Sequence, residues 1–144
     1  MMRQIILMHY DTPYHKETPQ NTDDFRVIAL NSTGCIDDIT LFLKIVDNTV
    51  ETGYFDGVGC TISIASTSIL ISLIEGKTLS EALEIIHEYK QMINGKEFNK
   101  EILDEALVFI NTSRQPSRIK CATLSWDGAA KLITEYEKEK KHGK

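Results

Sequence analysis

The sequence predicts an α+β fold in which a small three-stranded antiparallel sheet packs against helices. Apolar residues alternate with polar ones over residues 39–45, as in a strand with one buried face. Asp47 and Asn48 then form a tight turn, and residues 49–55 return as an antiparallel strand. Later in the chain apolar residues recur at helical spacing, so helices are expected to cover the sheet as a second layer.

The chain before these strands is expected to form a short helix, a loop and the first strand. Residues 3–10 fit a helix, which ends before Pro13 because proline disfavours helix in the residue ahead of it. Residues 14–24 are polar and are predicted to be a loop. The β-prone residues 25–30 form the first strand, and turn-forming residues follow up to position 38.

A buried helix is predicted over residues 60–74, where Ser and Ala would allow close packing against the sheet. Thr78 and Glu81 form a capping box that begins the next helix, which closes at Asn94. The apolar stripe of that helix is predicted to contain Ala82, Leu83, Ile86, Tyr89, Lys90 and Ile93.

Two more helices are expected after Asn99, which can cap a helix over residues 100–111. The last helix is predicted to begin near Ser117, with Trp126 in the core, and to fray over residues 137–142. Predicted inward positions of the helix over 100–111 are Ile102, Leu103, Ala106, Leu107 and Ile110.

Composition excludes several classes of protein. The 144 residues fit one domain over residues 1–144, and 42% are hydrophobic and 26% charged. A net charge of −5 argues against a nucleic-acid partner. The opening apolar run is too short for a signal peptide, and residues 60–74 are too short and too rich in Ser and Thr for a membrane span. A cytoplasmic protein is therefore expected.

Three cysteines lie at the ends of predicted elements. Cys35 lies between the first two strands, Cys60 follows Gly57 and Gly59 at the start of a helix, and Cys121 lies early in the last helix. An odd number of cysteines without an export signal disfavours disulfides and leaves metal binding, catalysis or burial. Asp37 is the natural fourth donor, because residues i and i+2 of an extended chain point the same way. Three thiolates and a carboxylate suit tetrahedral zinc or one edge of an iron–sulfur site.

Three segments resemble the signature blocks of the NifU/IscU-like iron–sulfur cluster assembly proteins. They are Cys35-Ile36-Asp37, residues 57–66 and residues 118–126. The third block and the long interval before it resemble the SufU-type branch, whose extra helix matches residues 100–111. The resemblance extends over nearly the whole chain, so it implies a SufE/NifU-like fold.

The chain departs from that family in three places. Ile36 replaces the usual glycine, which implies a different loop geometry, and Asp38 is an alternative ligand to Asp37. Lys120 stands where IscU-type scaffolds carry a histidine before the third cysteine. Residues 115–118 lack the family's chaperone-docking motif, so that chaperone is not expected as a partner.

The resemblance implies a zinc-binding sulfur carrier that takes persulfide sulfur from a SufS-like cysteine desulfurase and passes it to downstream iron–sulfur assembly proteins. It implies Cys35 as the sulfur acceptor and Arg118 as a group that stabilises the persulfide, although Arg118 is equally an ordinary surface arginine. The implied metal ligands are Cys35, Asp37, Cys60 and Cys121.

Two alternatives remain open. The first is a non-enzymatic scaffold on which a labile [2Fe–2S] cluster is assembled, and the second is a zinc module that only regulates the desulfurase. The histidines are given no chemical role: His9 is expected in a surface or capping position, and the other three are expected to be solvated. These three are His15, His87 and His142.

Overall fold

A computed structural model describes residues 2–31 and 36–142, and Cys35 lies outside these residues. The described residues form four α-helices and three strands, which confirms the α+β prediction. In chain order these are α1 (Met2–Asp11), β1 (Arg26–Asn31), β2 (Asp38–Val46), β3 (Thr49–Val58), α2 (Thr61–Ile74), α3 (Leu79–Ile93) and α4 (Pro116–His142).

The strands form one antiparallel sheet in the order β1-β2-β3. Asp47 and Asn48 make the predicted turn with φ angles of 51° and 60°. Two left-handed residues give the turn the twist that matches a β-hairpin. On the face of β2 that packs against the helices, Ile39, Leu41 and Leu43 have no exposed surface.

The opposite face of the sheet is also covered. Phe42 is buried there and pairs across the strands with Tyr54. The ring of His15 lies between those of Tyr14 and Tyr54, and Phe25 meets Tyr54 edge-on. The segment before β1 therefore packs on the outer face, and the prediction of a solvated His15 is wrong.

Buried hydroxyls of α2 bond to other helices rather than lying against the sheet, unlike the prediction. Ser66 donates to the Ala122 carbonyl of α4 over 2.6 Å, and Ser68 lies 2.7 Å from the ring of His9 on α1. Ser66 and Ser68 are buried. Because each side-chain hydroxyl finds a partner, this polar helix can occupy the centre of the molecule.

The capping box of α3 is present as predicted, with the Thr78 hydroxyl accepting from the Glu81 N–H. The predicted stripe is confirmed except at Lys90, whose ammonium is paired with Asp127 of α4 over 2.6 Å. Ile85 and Met92 complete the buried face.

Residues 100–111 do not form the predicted α-helix. They fold as short 3₁₀ turns, and the chain from 100 to 114 is called the 3₁₀ segment below. Asn99 caps the first turn, but Asp104 has a φ of +46° and interrupts the helix. The inward face shifts as a result: Phe109 is buried, whereas Ile110 is 40% exposed. The turns are Lys100–Ile102, Asp104–Phe109 and Thr112–Arg114.

The last helix is longer than predicted, since residues 137–142 remain helical. Trp126 is fully buried, as predicted, and stacks on Tyr89 of α3 with ring centroids 3.6 Å apart. Gly128 allows β1 to approach α4, because a Cβ there would lie 2.7 Å from the side chain of Leu30. Among the helices of the described residues, none is both long and apolar enough to cross a membrane.

Candidate metal centre

The structure brings together three of the four predicted metal ligands. Asp37, Cys60 and Cys121 each offer one ligand atom, and these atoms all lie within 4.8 Å of one another. Asp37 is 2% exposed and Cys121 is 6% exposed, whereas Cys60 is half-buried. The fourth predicted ligand, Cys35, lies outside the described residues. Asp38, the alternative carboxylate, is exposed and does not belong to this donor group.

Glycines bring the end of β3 close to the carboxylate. Gly57 has a φ of +125°, and a Cβ there would lie 2.1 Å from the carbonyl oxygen of Asp38. A Cβ on Gly59 would lie 2.4 Å from Ser63 Oγ and 3.2 Å from Asp37 Oδ1. The chain can therefore turn from strand to helix beside Asp37 only because these positions carry no side chain.

Hydrogen bonds from the start of α2 hold Asp37. Its Oδ1 accepts from the Cys60 N–H over 3.0 Å and from the Ser63 hydroxyl over 2.8 Å. Cys60 is the N-cap of α2, and its Sγ accepts from the Ser63 N–H over 3.4 Å. A sulfur thus takes the capping role that an oxygen usually has, and it lies where the helix dipole favours negative charge.

A buried network fixes the part of α4 that carries Cys121. The carbonyl of the next residue, Ala122, accepts from Ser66 Oγ over 2.6 Å and from Tyr89 Oη over 2.7 Å. Burial raises the pKa of Tyr89, so its phenol remains a donor at neutral pH. These contacts from α2 and α3 set the position of α4, and with it the position of the Cys121 sulfur.

The donor set suits a zinc-like cation. Zinc prefers thiolate, imidazole and carboxylate ligands in a tetrahedron. With zinc–sulfur bonds of about 2.3 Å, neighbouring ligand atoms of a tetrahedron lie about 3.8 Å apart. Atoms that already lie within 4.8 Å of one another need to move by only about an ångström to reach that arrangement.

A cavity of about 610 Å³ opens beside both sulfurs. Arg118 lies at its wall, one helical turn before Cys121, and Arg3 contributes a second guanidinium from α1. Both arginines are exposed. The other lining residues are Ile6, Leu7, Thr61 and Ile62, of which three are apolar.

Two features of the site region could not be predicted from the sequence. Ser63 contacts both Asp37 and Cys60, yet nothing in the helical pattern distinguishes it from its neighbours. His9 is buried rather than on the surface: its Nδ1 lies 2.7 Å from Ser68 Oγ and its Nε2 lies 2.8 Å from Glu105 Oε1. His9 therefore joins α1, which lines the cavity, to α2 and the 3₁₀ segment.

Comparison with known proteins identifies relatives of this chain. The sequence profile of the NifU-like N-terminal domain matches residues 1–143. The zinc-dependent sulfurtransferase SufU of Bacillus subtilis is 36% identical over 138 residues, which cover 95% of this chain and 92% of SufU. The iron–sulfur cluster assembly scaffold protein IscU of Streptococcus pyogenes is 34% identical over 131 residues, which cover 90% of this chain and 80% of IscU.

A solved structure shares the fold. It comes from Fervidobacterium islandicum AW-1 and is named as an iron–sulfur cluster assembly scaffold protein for the SUF system. It superposes with a TM-score of 0.78 at 31% identity, and the match covers 86% of this chain and 90% of that one. The match supports the α+β fold, in which a three-stranded antiparallel sheet packs with helices.

Proposed function

Because the chain belongs to the NifU-like N-terminal domain family of iron–sulfur cluster assembly proteins, we propose that it binds zinc and carries sulfur from a cysteine desulfurase. The proposal rests on one observation: one carboxylate and two thiols from distant parts of the chain have ligand atoms that lie within 4.8 Å of one another. The similarity to a zinc-dependent sulfurtransferase supports zinc as the ion.

In this proposal Asp37, Cys60 and Cys121 hold the zinc together with Cys35. Zinc keeps its cysteine ligands deprotonated at neutral pH. Lys120 is exposed and lies outside the donor group, and a lysine ammonium offers no lone pair to a metal. The position that is a histidine in IscU-type scaffolds therefore supplies no ligand here, which favours the carrier over the scaffold.

Sulfur transfer needs no external oxidant or reductant. The thiolate of Cys35 attacks the outer sulfur of a persulfide on the desulfurase, and a new S–S bond forms on Cys35. The S–S bond of the donor breaks at the same time, and the donor cysteine leaves as a thiolate with the electron pair. Arg118 faces the cavity beside the other two cysteines, where its guanidinium can stabilise the anionic persulfide.

Alanine production from L-cysteine by a SufS-like desulfurase tests this function. We expect the zinc-loaded protein to accelerate turnover, the zinc-stripped protein to do so weakly, and Cys35→Ala to abolish sulfur acceptance. Arg114→Ala is the matched control for an Arg118→Ala variant, because Arg114 is exposed and does not line the cavity. Only the Arg118 substitution is expected to slow sulfur transfer.

Two results would contradict the carrier. A brown protein that contains iron and labile sulfide after anaerobic purification would favour the scaffold, the role in the name of the Streptococcus relative. A Cys35→Ala variant that still stimulates the desulfurase fully would favour a regulator. A cytoplasmic site of action and delivery to downstream assembly proteins are parts of the same proposal.

A further inference from the structure

We propose that Ser63 is a positioning residue for the metal centre: its hydroxyl orients the Asp37 carboxylate and its N–H orients the Cys60 sulfur. This inference rests on the proposed function, because it assumes that the donor group holds a divalent cation. Ser63 is not one of the proposed ligands, so the inference adds a further residue to the metal centre.

The contacts of Ser63 converge on two of the three described donors. Its Oγ lies 2.8 Å from Asp37 Oδ1 and 3.6 Å from Cys60 Sγ, and its N–H donates to the same sulfur over 3.4 Å. The residue is 1% exposed, so water does not compete for these bonds. A hydroxyl carries a single proton, and Asp37 Oδ1 is a nearer acceptor than the Cys60 carbonyl oxygen, which lies 3.2 Å away.

The backbone gives Asp37 only part of this support. The Cys60 N–H reaches the same oxygen, Oδ1, over 3.0 Å. The Ser63 hydroxyl adds a side-chain donor to this backbone donor, and the two together restrict the orientation of the carboxylate. A ligand held in advance in its binding orientation loses less freedom when the cation binds.

Gly59 leaves room for the hydrogen bond between Ser63 and Asp37. A Cβ at position 59 would lie 2.4 Å from Ser63 Oγ and 3.2 Å from Asp37 Oδ1, so it would crowd both partners of that bond. The φ of Gly59 is compatible with an L-residue, so Gly59→Ala probes this contact by crowding rather than by backbone strain. The glycine and the serine thus form one unit around the carboxylate.

Partners of this kind typically change metal affinity by about 10- to 100-fold when they are removed. We therefore expect Ser63→Ala to raise the zinc dissociation constant by a factor in that range while the protein remains folded. Ser63→Thr keeps the hydroxyl and is expected to restore most of the affinity. Ser68→Ala is the matched control, since it removes another buried α2 hydroxyl that instead bonds to His9 and the Tyr14 N–H.

The measurements are zinc affinity by competition with a chromogenic chelator and the visible absorption spectrum of the Co²⁺-loaded protein. Ser63→Ala should weaken zinc binding and alter the cobalt bands. Ser68→Ala should lower the unfolding midpoint but leave the zinc affinity and the cobalt spectrum unchanged. Unchanged affinity and spectrum in Ser63→Ala would overturn the inference while leaving the proposed function intact. Failure of the wild-type protein to bind either ion would instead refute the proposed function.

Gly59→Ala keeps the inference testable if Ser63→Ala folds poorly. Its Cβ would displace the Ser63 hydroxyl while the serine itself is retained, so we expect weaker zinc binding and altered cobalt bands. Unchanged affinity and spectrum in a folded Gly59→Ala protein would overturn the inference.

Discussion

At the scale of single residues, Cys60 has two roles that depend on the same atom. Its Sγ caps α2 by accepting from the Ser63 N–H, and it belongs to the donor group with Asp37 and Cys121. The start of the helix and the candidate metal site are therefore not independent. A substitution that separates capping from metal binding can show how much each contributes.

Cys60→Ser separates the two roles. Serine is among the best N-cap residues but is a poor ligand for zinc, so we expect the variant to fold normally and to lose zinc binding. Cys60→Ala should lose zinc binding and also about 1 kcal/mol of the free energy of unfolding of the metal-free protein. Denaturant unfolding in the presence of a chelator, together with zinc analysis, measures both effects. Equal stability of Cys60→Ala and the wild-type protein, both free of metal, would show that the sulfur does not cap the helix.

The donor residues could be predicted from the sequence because thiols and carboxylates are chemically distinctive and fall within recognisable blocks. The role of Ser63 could not, because a serine in a helical run is most simply explained by packing. The same holds for His9, whose partners Ser68 and Glu105 lie 59 and 96 residues away in the chain. Local pattern contains no information about such distant contacts.

At the scale of elements, the segment before β1 is held on the sheet by a polar contact as well as by stacked rings. The Tyr14 phenol donates to the carboxylate of Glu75, the C-cap of α2, and the same carboxylate accepts from Thr52 of β3 over 2.6 Å. The hydrogen bond to Glu75 is the main cause that raises the pKa of Tyr14 from 10.0 to about 12. The phenol therefore stabilises the folded state only while it keeps its proton.

This contact predicts an alkaline dependence of stability. Because the pKa of Tyr14 is raised in the folded state, its contribution is complete below about pH 10 and is lost as the pH rises through about 12. Tyr14 is more than a third exposed, so solvent screening keeps the contribution below about 1 kcal/mol.

Denaturant unfolding across this pH range, for the wild-type protein and Tyr14→Phe, measures the effect. We expect the difference in stability between the two to be largest below about pH 10 and to vanish above about pH 12. A difference that stays constant across this range would show that the phenol proton does not contribute.

Two elements with a strong local signal were predicted correctly, whereas one element does not adopt the structure that its local signal favours. The Asp47-Asn48 turn and the Thr78–Glu81 capping box are both defined by residues close together in sequence, and both are present. Residues 100–111 have helical spacing, but the left-handed φ of Asp104 breaks the helix. Glu105, which follows Asp104, forms a hydrogen bond with His9 of α1. The chain therefore departs from its local helical propensity at a place where a tertiary contact forms.

At the scale of the whole molecule, the candidate metal centre links parts of the chain that are far apart in sequence. Asp37 precedes β2, Cys60 caps α2, and Cys121 lies in the second turn of α4. An unfolded chain does not hold these three groups together, so a cation bound by all three would favour the folded state. Bound zinc should therefore stabilise the fold.

Removal of zinc is expected to lower the thermal unfolding midpoint. Zinc at 100 times its dissociation constant should add about 2.7 kcal/mol to the free energy of unfolding. Thermal scans with added zinc and with a chelator measure the shift, and Cys121→Ser is the control that should not respond to zinc. A wild-type midpoint independent of zinc would show that the donor group does not hold the ion.

The length of α4 has a practical consequence for these experiments. Cys121 lies near the beginning of the helix, and Glu139, which pairs with Arg26 of β1, lies near its end. At 1.5 Å per residue, the two positions are about 27 Å apart along the axis. A fluorophore or a tether to a sensor chip on the final turns would thus leave the mouth of the cavity open to an approaching enzyme.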